Sequence, residues 1–227
     1  YGAFYGCGNL TMSATDIPDL SNVTNMFAAF ANCASLTTNE AMRTWDVSNV
    51  TYMQSVFSHA SNFNQDIGDW DVSSVTAMPY MFWNAHAFDQ NLGAWNLASL
   101  TNASGMFNAP AGMGVSYENM GLTLQGWADN PQTAAGVTLG VADRKIPVEY
   151  QGGAQELIDV KNWIITPELG ICYDCPDLSA NIGDGCDDGN PNTENDVITE
   201  DCECVDPVIN DRADLTAKKG ETCDGGS

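Results

Sequence analysis

Three tryptophans spaced 25 residues apart each open a nearly identical stretch of sequence. Trp45, Trp70 and Trp95 begin the stretches WDVSNVTYMQSVFSHASNFNQDIGD, WDVSSVTAMPYMFWNAHAFDQNLGA and WNLASLTNASGMFNAP. A fixed period of this length is typical of stacked repeats, in which each copy buries its apolar face against its neighbours. This period constrains the fold more strongly than any other feature of the chain.

The repeat continues upstream of Trp45. Residues 19–26 match residues 46–53 at a spacing of 27, and residues 4–10 match residues 30–36 at a spacing of 26. Because the sequence therefore starts within a repeat, we expect the natural chain to extend upstream of Tyr1.

Apolar residues recur in register from copy to copy and predict columns that stack along the repeat axis. The columns are Val23, Val50 and Val75; Met26, Met53 and Met78; Phe30, Phe57, Phe82 and Phe107; Phe63 and Phe88; and Ile67 and Leu92. The three repeat tryptophans form a further column, which we expect at a buried corner of each copy.

Within one copy, the pattern predicts two extended segments and a helical turn. We expect a short strand over 63–67, a strand or extended segment over 75–78, and a helical turn over 79–85 with Pro79 at its first position, where the missing N–H costs little. The alternative is one helix over 75–82, since Val75, Met78 and Phe82 also fit helical spacing. An interior Pro79 opposes that helix at a cost of roughly 3 kcal/mol.

These repeats resemble the BspA-like leucine-rich-repeat surface proteins of bacteria, in the branch with the repeat W-D-V-S-N-V-T-x-M. The resemblance covers residues 1 to about 110. It implies an α/β repeat fold, a right-handed leucine-rich-type solenoid with short strands and helical turns, occupying residues 1–111. It also implies a secreted or surface-anchored protein that serves adhesion or recognition without catalysis.

Residues 112–170 are predicted to be an α/β segment that caps the repeats. We expect a helix over 116–128 with Ser116 as its N-cap, a strand over 137–141, a helix over 148–162 and a strand over 163–166. A terminal element of this kind covers the apolar core that the last copy would otherwise expose.

The charge of the chain excludes several classes of partner. With seven Lys and Arg against 30 Asp and Glu, the formal net charge is −23, which argues against nucleic acid and anionic membrane surfaces. No apolar run approaches the roughly 20 residues that a membrane-spanning helix needs. Cationic partners, divalent metals and neutral glycans remain open.

Residues 171–227 form an acidic, cysteine-rich tail. Six of the eight cysteines lie there, and residues 171–211 contain twelve acidic residues without a Lys or Arg. The stretch CDDGNPNTENDVITEDCEC resembles a small module of secreted Bacteroidetes proteins, and residues 177–189 recur in part as 214–225. This composition predicts an oxidising, extracellular or cell-surface location.

Two kinds of metal site are conceivable in the tail. Candidate calcium ligands are the oxygen-bearing side chains of Asp188, Asn190, Asn192, Glu194 and Asp196. A polar turn between disulfides explains the same residues. The pairs Cys172/Cys175 and Cys202/Cys204 also have zinc-like spacing, but disulfides suit a secreted chain better.

All eight cysteines are therefore candidates for disulfides. Six tail cysteines allow fifteen pairings, between which the sequence does not choose; they are Cys172, Cys175, Cys186, Cys202, Cys204 and Cys223. Cys7 and Cys33 occupy equivalent positions in adjacent copies, so their Cα atoms should lie about 5 Å apart, within bonding range. We predict a Cys7–Cys33 bridge.

The sequence contains no recognisable catalytic motif, and we predict a protein that is not an enzyme. His59 and His86, the only histidines, are expected in solvated loops. Asp66, Asp69 and Asp71 could in principle form a glycosidase pair, but aspartate recurs with the repeat and is more simply a turn former. Trp83 stands outside the tryptophan column and is expected to be exposed.

Four Asn-x-Ser/Thr sequons are candidates for glycosylation, at Asn9, Asn22, Asn49 and Asn102. Asn22 and Asn49 hold the same repeat position, so repetition alone accounts for them.

Three functions fit these features. The favoured one is a non-enzymatic surface protein for adhesion, matrix or scaffolding, with a protein or glycan partner on other cells or matrix. The second is a subunit of a self-assembling extracellular filament, suggested by a sequence that begins and ends within repeats. The third is an accessory glycan-binding module of a larger secreted enzyme.

Overall fold

A computed structural model describes residues 2–13, 15–110, 112–142, 144–167, 169–172, 197–198 and 204–205. The chain divides into two compact units, residues 1–171 and 172–227. In the second unit, the described residues form one antiparallel pair, Val197–Ile198 (β6) with Cys204–Val205 (β7).

A parallel ladder joins successive copies in the first unit. Single-residue bridges connect Asn25 to Tyr52, Tyr52 to Ala77 and Ala77 to Asn102. The ladder continues as a three-stranded parallel sheet of Asn102–Ala103 (β1), Thr138–Gly140 (β2) and Ile164–Thr166 (β4). Consecutive copies therefore lie side by side, in the register that the sequence alignment predicts.

Each copy also contributes a turn segment, and these segments pair with one another. We define the turn segments as residues 2–8, 26–33, 53–60, 78–85 and 103–109. Alternate N–H groups donate to the next copy at 2.9–3.0 Å: Met78 to Asn102, Tyr80 to Ser104, Phe82 to Met106 and Asn84 to Asn108. The intervening Trp83 and Ala85 donate to carbonyls three residues back. Half of the N–H groups thus bind the neighbouring copy.

This pairing corrects the local predictions for one copy. Residues 79–85 form consecutive turns and not a helical turn, and the alternative helix over 75–82 is also wrong. A helix would direct these N–H groups to carbonyls four residues back, whereas here they bind the adjacent copy. Residues 63–67 form no strand, and within 75–78 only Ala77 makes a bridge. A short helix, Glu40–Arg43 (α1), precedes Trp45.

The predicted columns form the core. Phe57, Phe63, Met53, Met78 and Ile67 are fully buried, and each buried side chain of this size contributes about 1.5–3 kcal/mol. The phenylalanine rings stack at centroid distances of 5.3, 5.6, 5.9 and 5.9 Å, in the order Phe4, Phe30, Phe57, Phe82, Phe107. The column then continues through Trp127 at 6.3 Å and Trp163 at 5.9 Å.

The repeat tryptophans lie at buried corners, as predicted. Trp70 Nε1 donates to the Met42 carbonyl at 2.9 Å, and Trp95 Nε1 donates to the Ile67 carbonyl at 3.0 Å. Within the described residues, the buried Nε1 of Trp45 has no hydrogen-bond partner. The three tryptophans are thus all buried, but only Trp70 and Trp95 make the corner hydrogen bond.

The segment after the repeats contains two helices, close to the predicted positions. Tyr117–Asp129 (α2) begins at the N-cap Ser116, whose Oγ accepts from Asn119 N at 3.3 Å. The second predicted helix is a 3-10 turn, Val148–Tyr150, followed by Gln151–Asp159 (α3). Lys145–Pro147 (β3) and Gly170–Cys172 (β5) pair in a further two-stranded sheet, which the sequence did not predict.

Candidate recognition surface

Three aromatic side chains from two adjacent turn segments meet at the surface. Tyr80 and Trp83 are each 41% exposed, and their ring centroids lie 5.7 Å apart. The His59 ring, from the preceding copy, packs edge-on against Trp83 at 4.9 Å. We call His59, Tyr80 and Trp83 the aromatic patch.

The Tyr80 ring occupies space that Gly105 leaves open. A Cβ atom built on Gly105 would lie 2.5 Å from both Cδ1 and Cε1 of Tyr80, a distance that side chains do not tolerate. The ring therefore rests on the backbone of the next copy. This packing orients Tyr80 although two-fifths of the residue is in contact with solvent.

The turn segments require left-handed backbone at two positions in most copies. The first position has positive φ at Gly2, Ala28, Ser55, Tyr80 and Gly105, and the second at Gly6, Asn32, His59 and Asn84. Glycine adopts this conformation without strain, and asparagine and histidine tolerate it better than most residues. Tyr80 (φ 57°) and His59 (φ 58°) are the bulkiest side chains at these positions. The architecture explains the backbone conformation but not these two aromatic side chains.

The aspartates that the sequence analysis interpreted as turn formers have structural partners. Arg43 lies 2.7 Å from an Asp69 oxygen and 3.5 Å from an Asp66 oxygen, so it links adjacent copies. Asp71 Oδ1 accepts from Ser73 N at 3.0 Å. The carboxylates thus serve turns and an exposed ion pair.

Asp46 accepts hydrogen bonds within a repeat turn in the same way, and these bonds change its pKa. Its Oδ1 accepts from the Ser48 hydroxyl at 2.6 Å and from Ser48 N at 3.1 Å. These two hydrogen bonds, the hydroxyl first, hold the pKa of Asp46 below its ordinary value. Asp19 has a lowered pKa for the same reason, through Ser21.

The two histidines lie in different environments. His86 is exposed, as predicted. His59 also lies in a turn and is partly exposed, and its ring packs edge-on against Trp83. The residues that sequence reasoning overlooked are therefore His59 and Tyr80. The signal that could have identified them is a bulky side chain in a column otherwise occupied by Gly, Ala, Ser or Asn.

The four sequons are not equivalent. Asn9, Asn22 and Asn49 are exposed. Asn102 is half-buried in β1, and its Oδ1 accepts from Ser104 N at 2.9 Å and from Ser104 Oγ at 2.7 Å. Asn102 therefore has a structural role in the turn that follows β1.

Cys7 and Cys33 are free thiols in the structure, which differs from the predicted bridge. The Cys33 Sγ donates instead to the Phe4 carbonyl at 3.0 Å. Burial raises the pKa of the Cys33 thiol. The two residues do lie in adjacent, hydrogen-bonded turn segments, and their oxidation to a disulfide stays a prediction.

The predicted tail sites lie almost entirely outside the described residues. This applies to all five candidate calcium ligands and to Cys175, Cys186, Cys202 and Cys223, while Cys172 and Cys204 are described only as strand backbone. Among the described residues, no group of three or more His, Cys, Asp or Glu is arranged to hold a metal ion.

A protein-family comparison assigns the repeat region. The family model described as "Mycoplasma protein of unknown function, DUF285" matches residues 1–119. The chain belongs to this family. The match spans the five turn segments and the start of α2, so the repeats are what this chain shares with the family. Searches of curated proteins and of solved structures found no match.

No helix in the described part of the chain has the length and apolar character that a membrane crossing requires.

Proposed function

We propose that this DUF285 chain is a non-enzymatic repeat protein of the cell surface or extracellular space, of the BspA-like leucine-rich type, that acts in adhesion or recognition. The observation that carries the proposal is the aromatic patch on the turn segments. These segments contain no Asp, Glu, Lys or Arg, although the chain has a net charge of −23. Exposed aromatic side chains on an uncharged surface are typical of contact sites.

We propose no reaction for this protein because its repeat aspartates have structural roles. Asp46 and Asp71 close repeat turns, and Asp66 and Asp69 pair with Arg43. A glycosidase needs one carboxyl group held for proton donation and a second held opposite it. The hydrogen bonds of these aspartates instead support the repeat.

The proposed architecture is a right-handed, leucine-rich-type solenoid over residues 1–111, with residues 112–170 as its cap. The parallel bridges between copies and the continuous aromatic column support it. For the acidic tail we propose disulfides and a calcium site, both suited to an extracellular location. Chelator-sensitive thermal melting of the full chain would support the calcium site.

Surface-binding assays test the proposed function. The purified chain would be applied to immobilised matrix proteins, neutral and acidic glycans, and intact cells, with its oligomeric state followed by light scattering. Saturable binding to one of these surfaces supports recognition. Fibres with a regular axial repeat would favour the filament, and glycoside hydrolysis abolished by Asp66→Asn or Asp71→Asn would refute a non-enzymatic role.

A further inference from the structure

We propose that the aromatic patch binds a neutral carbohydrate. The proposal deepens the recognition function proposed above, on which it rests, by naming the binding residues and the class of ligand. Its basis is a combination of three observations: the meeting of three rings, the unfavourable backbone conformation at two of them, and the lack of charge around them.

The rings form a shallow, angled platform. The Trp83 plane is tilted by 55° to the Tyr80 plane and by 68° to the His59 plane. Aromatic faces bury apolar C–H surface, while the Tyr hydroxyl, the indole N–H and the imidazole remain capable of hydrogen bonding. A sugar ring presents both an apolar C–H face and a rim of hydroxyl groups, so it matches such a surface.

The left-handed backbone at Tyr80 and His59 indicates that these two side chains have a role beyond folding. A non-glycine residue with φ near 57° lies in a sparsely populated backbone region, which histidine enters more readily than tyrosine. Other copies place Gly, Ala or Ser where Tyr80 stands, and Gly or Asn where His59 stands. Because Gly, Ala, Ser and Asn occupy the same backbone positions elsewhere in this chain, the fold does not require an aromatic ring at either position. Both pack against Trp83, which makes a shared ligand the simplest explanation of the two rings.

The polar groups beside the patch are neutral. Ser55, Asn84 and Ser104 lie in the surrounding turn segments and are partly exposed. The amide of Asn108 also borders the patch, since a Cβ on Gly105 would lie 3.6 Å from Asn108 Nδ2. Hydroxyls and amides hydrogen-bond sugar hydroxyls but do not neutralise a charged ligand. A cationic peptide would find no carboxylate in these segments, and an anionic glycan would face the net negative charge of the protein.

The repeat itself supplies the test variants. Trp83→Ser installs the residue found at the equivalent Ser58, Tyr80→Gly installs that of Gly105, and His59→Asn installs that of Asn84. Tyr5→Ser removes another exposed aromatic residue of the Trp83 column and serves as the matched control. The probes are hexasaccharides of glucose, mannose, xylose and N-acetylglucosamine, with polygalacturonate and poly-lysine as charged comparators. Binding would be followed by calorimetry and tryptophan fluorescence.

We expect at least one neutral hexasaccharide to bind, and Trp83→Ser to weaken that binding by about tenfold or more. Tyr80→Gly should also weaken binding with little change in the melting temperature, because the backbone strain that it removes offsets the ring packing on Gly105 that it loses. Tyr5→Ser should bind as the wild type does. A patch variant that loses sugar binding but keeps its melting temperature identifies the substituted residue as a ligand contact and not a structural residue.

Three results would overturn the proposal. They are no binding of any neutral hexasaccharide, neutral-sugar binding that survives Trp83→Ser, and patch variants that weaken only poly-lysine or polygalacturonate. If any of these results is found while adhesion to matrix proteins or cells persists in Trp83→Ser, the carbohydrate site is refuted and the proposed surface function stands. Hydrolysis of the hexasaccharides would instead contradict the proposed function itself.

Discussion

The repeats (residues 2–110) and the α/β segment (residues 112–172) continue the same columns with different secondary structure. In the repeats, a turn segment follows each position of the ladder, and its aromatic ring joins the phenylalanine column. In the α/β segment, α2 lies after the last turn segment and before β2, and its Trp127 stacks on Phe107 and so continues the column. The comparison shows that the same ladder and the same aromatic column can be built from segments with different local backbone conformations.

Hydrogen bonding shows the same continuity. Trp127 Nε1 donates to the Leu92 carbonyl at 2.8 Å and Trp163 Nε1 to the Ala134 carbonyl at 2.7 Å, much as Trp95 donates to Ile67. A residue of α2 and the residue that precedes β4 therefore reproduce the corner interaction of the repeats. The two regions also approach each other closely, since a Cβ on Gly126 of α2 would lie 2.5 Å from the backbone O of Gly93 in the repeats.

The largest expected effect tests whether the aromatic column is one cooperative core. Phe57→Ala, within the repeats, and Phe107→Ala, at the junction with α2, should each lower the free energy of unfolding by about 3–5 kcal/mol. Both rings are almost fully buried and stack on two neighbours. Urea unfolding of the first unit followed by circular dichroism should remain a single transition. Two separate transitions would show that the regions fold independently.

A second variant tests the backbone contact between the two regions. A Cβ on Gly140 would lie 2.0 Å from the backbone N of Gly105. Gly140→Ala should therefore cost about 1–3 kcal/mol or more. Gly152→Ala is the control, because it is exposed in α3 with no atom near the new Cβ, and it should stabilise by about 0.5–1 kcal/mol. Equal thermal stability of the two variants would contradict the close approach of β2 to the last turn segment.

Tryptophan substitutions measure whether the corner hydrogen bond is equivalent in the two regions. Trp95→Phe and Trp127→Phe should each cost about 1 kcal/mol more than Trp45→Phe, because only the first two remove a hydrogen bond to a buried carbonyl. Chemical denaturation would give the free energy of unfolding of each of the three variants for this comparison. If Trp45→Phe were the most damaging, the hydrogen bond would not account for the corner.

The smallest effect concerns pH and is confined to the repeats. The folded pKa of Asp46 is lowered, so its contribution to stability is present above the ordinary value of 3.8 and is lost as the pH falls through the folded pKa. Asp46→Asn removes this titration yet keeps the turn, as Asn96 does with Ala98 N at 3.1 Å. The difference in melting temperature between wild type and variant should therefore change below about pH 4. A constant difference across that range would show that the carboxylate is not stabilised in the fold.

Local and periodic features of this protein were predictable, whereas contacts between copies were not. Ser116 marked the start of α2 within one residue, and the columns of Phe57 and Met53 are buried as predicted. The conformation of residues 79–85 was missed, because their N–H groups bind carbonyls 24 residues away. The position of His59 beside Trp83 was missed for the same reason.

The sequence by itself determined the period, the register of the columns and the membership of the repeat family. These features depend on residue identity at a fixed spacing, which needs no coordinates. The tertiary structure alone decided which backbone positions are left-handed, that Tyr80 rests on Gly105, and that His59 meets Trp83 at the surface. Such features arise only when adjacent copies share hydrogen bonds, so that one copy sets the backbone of the next.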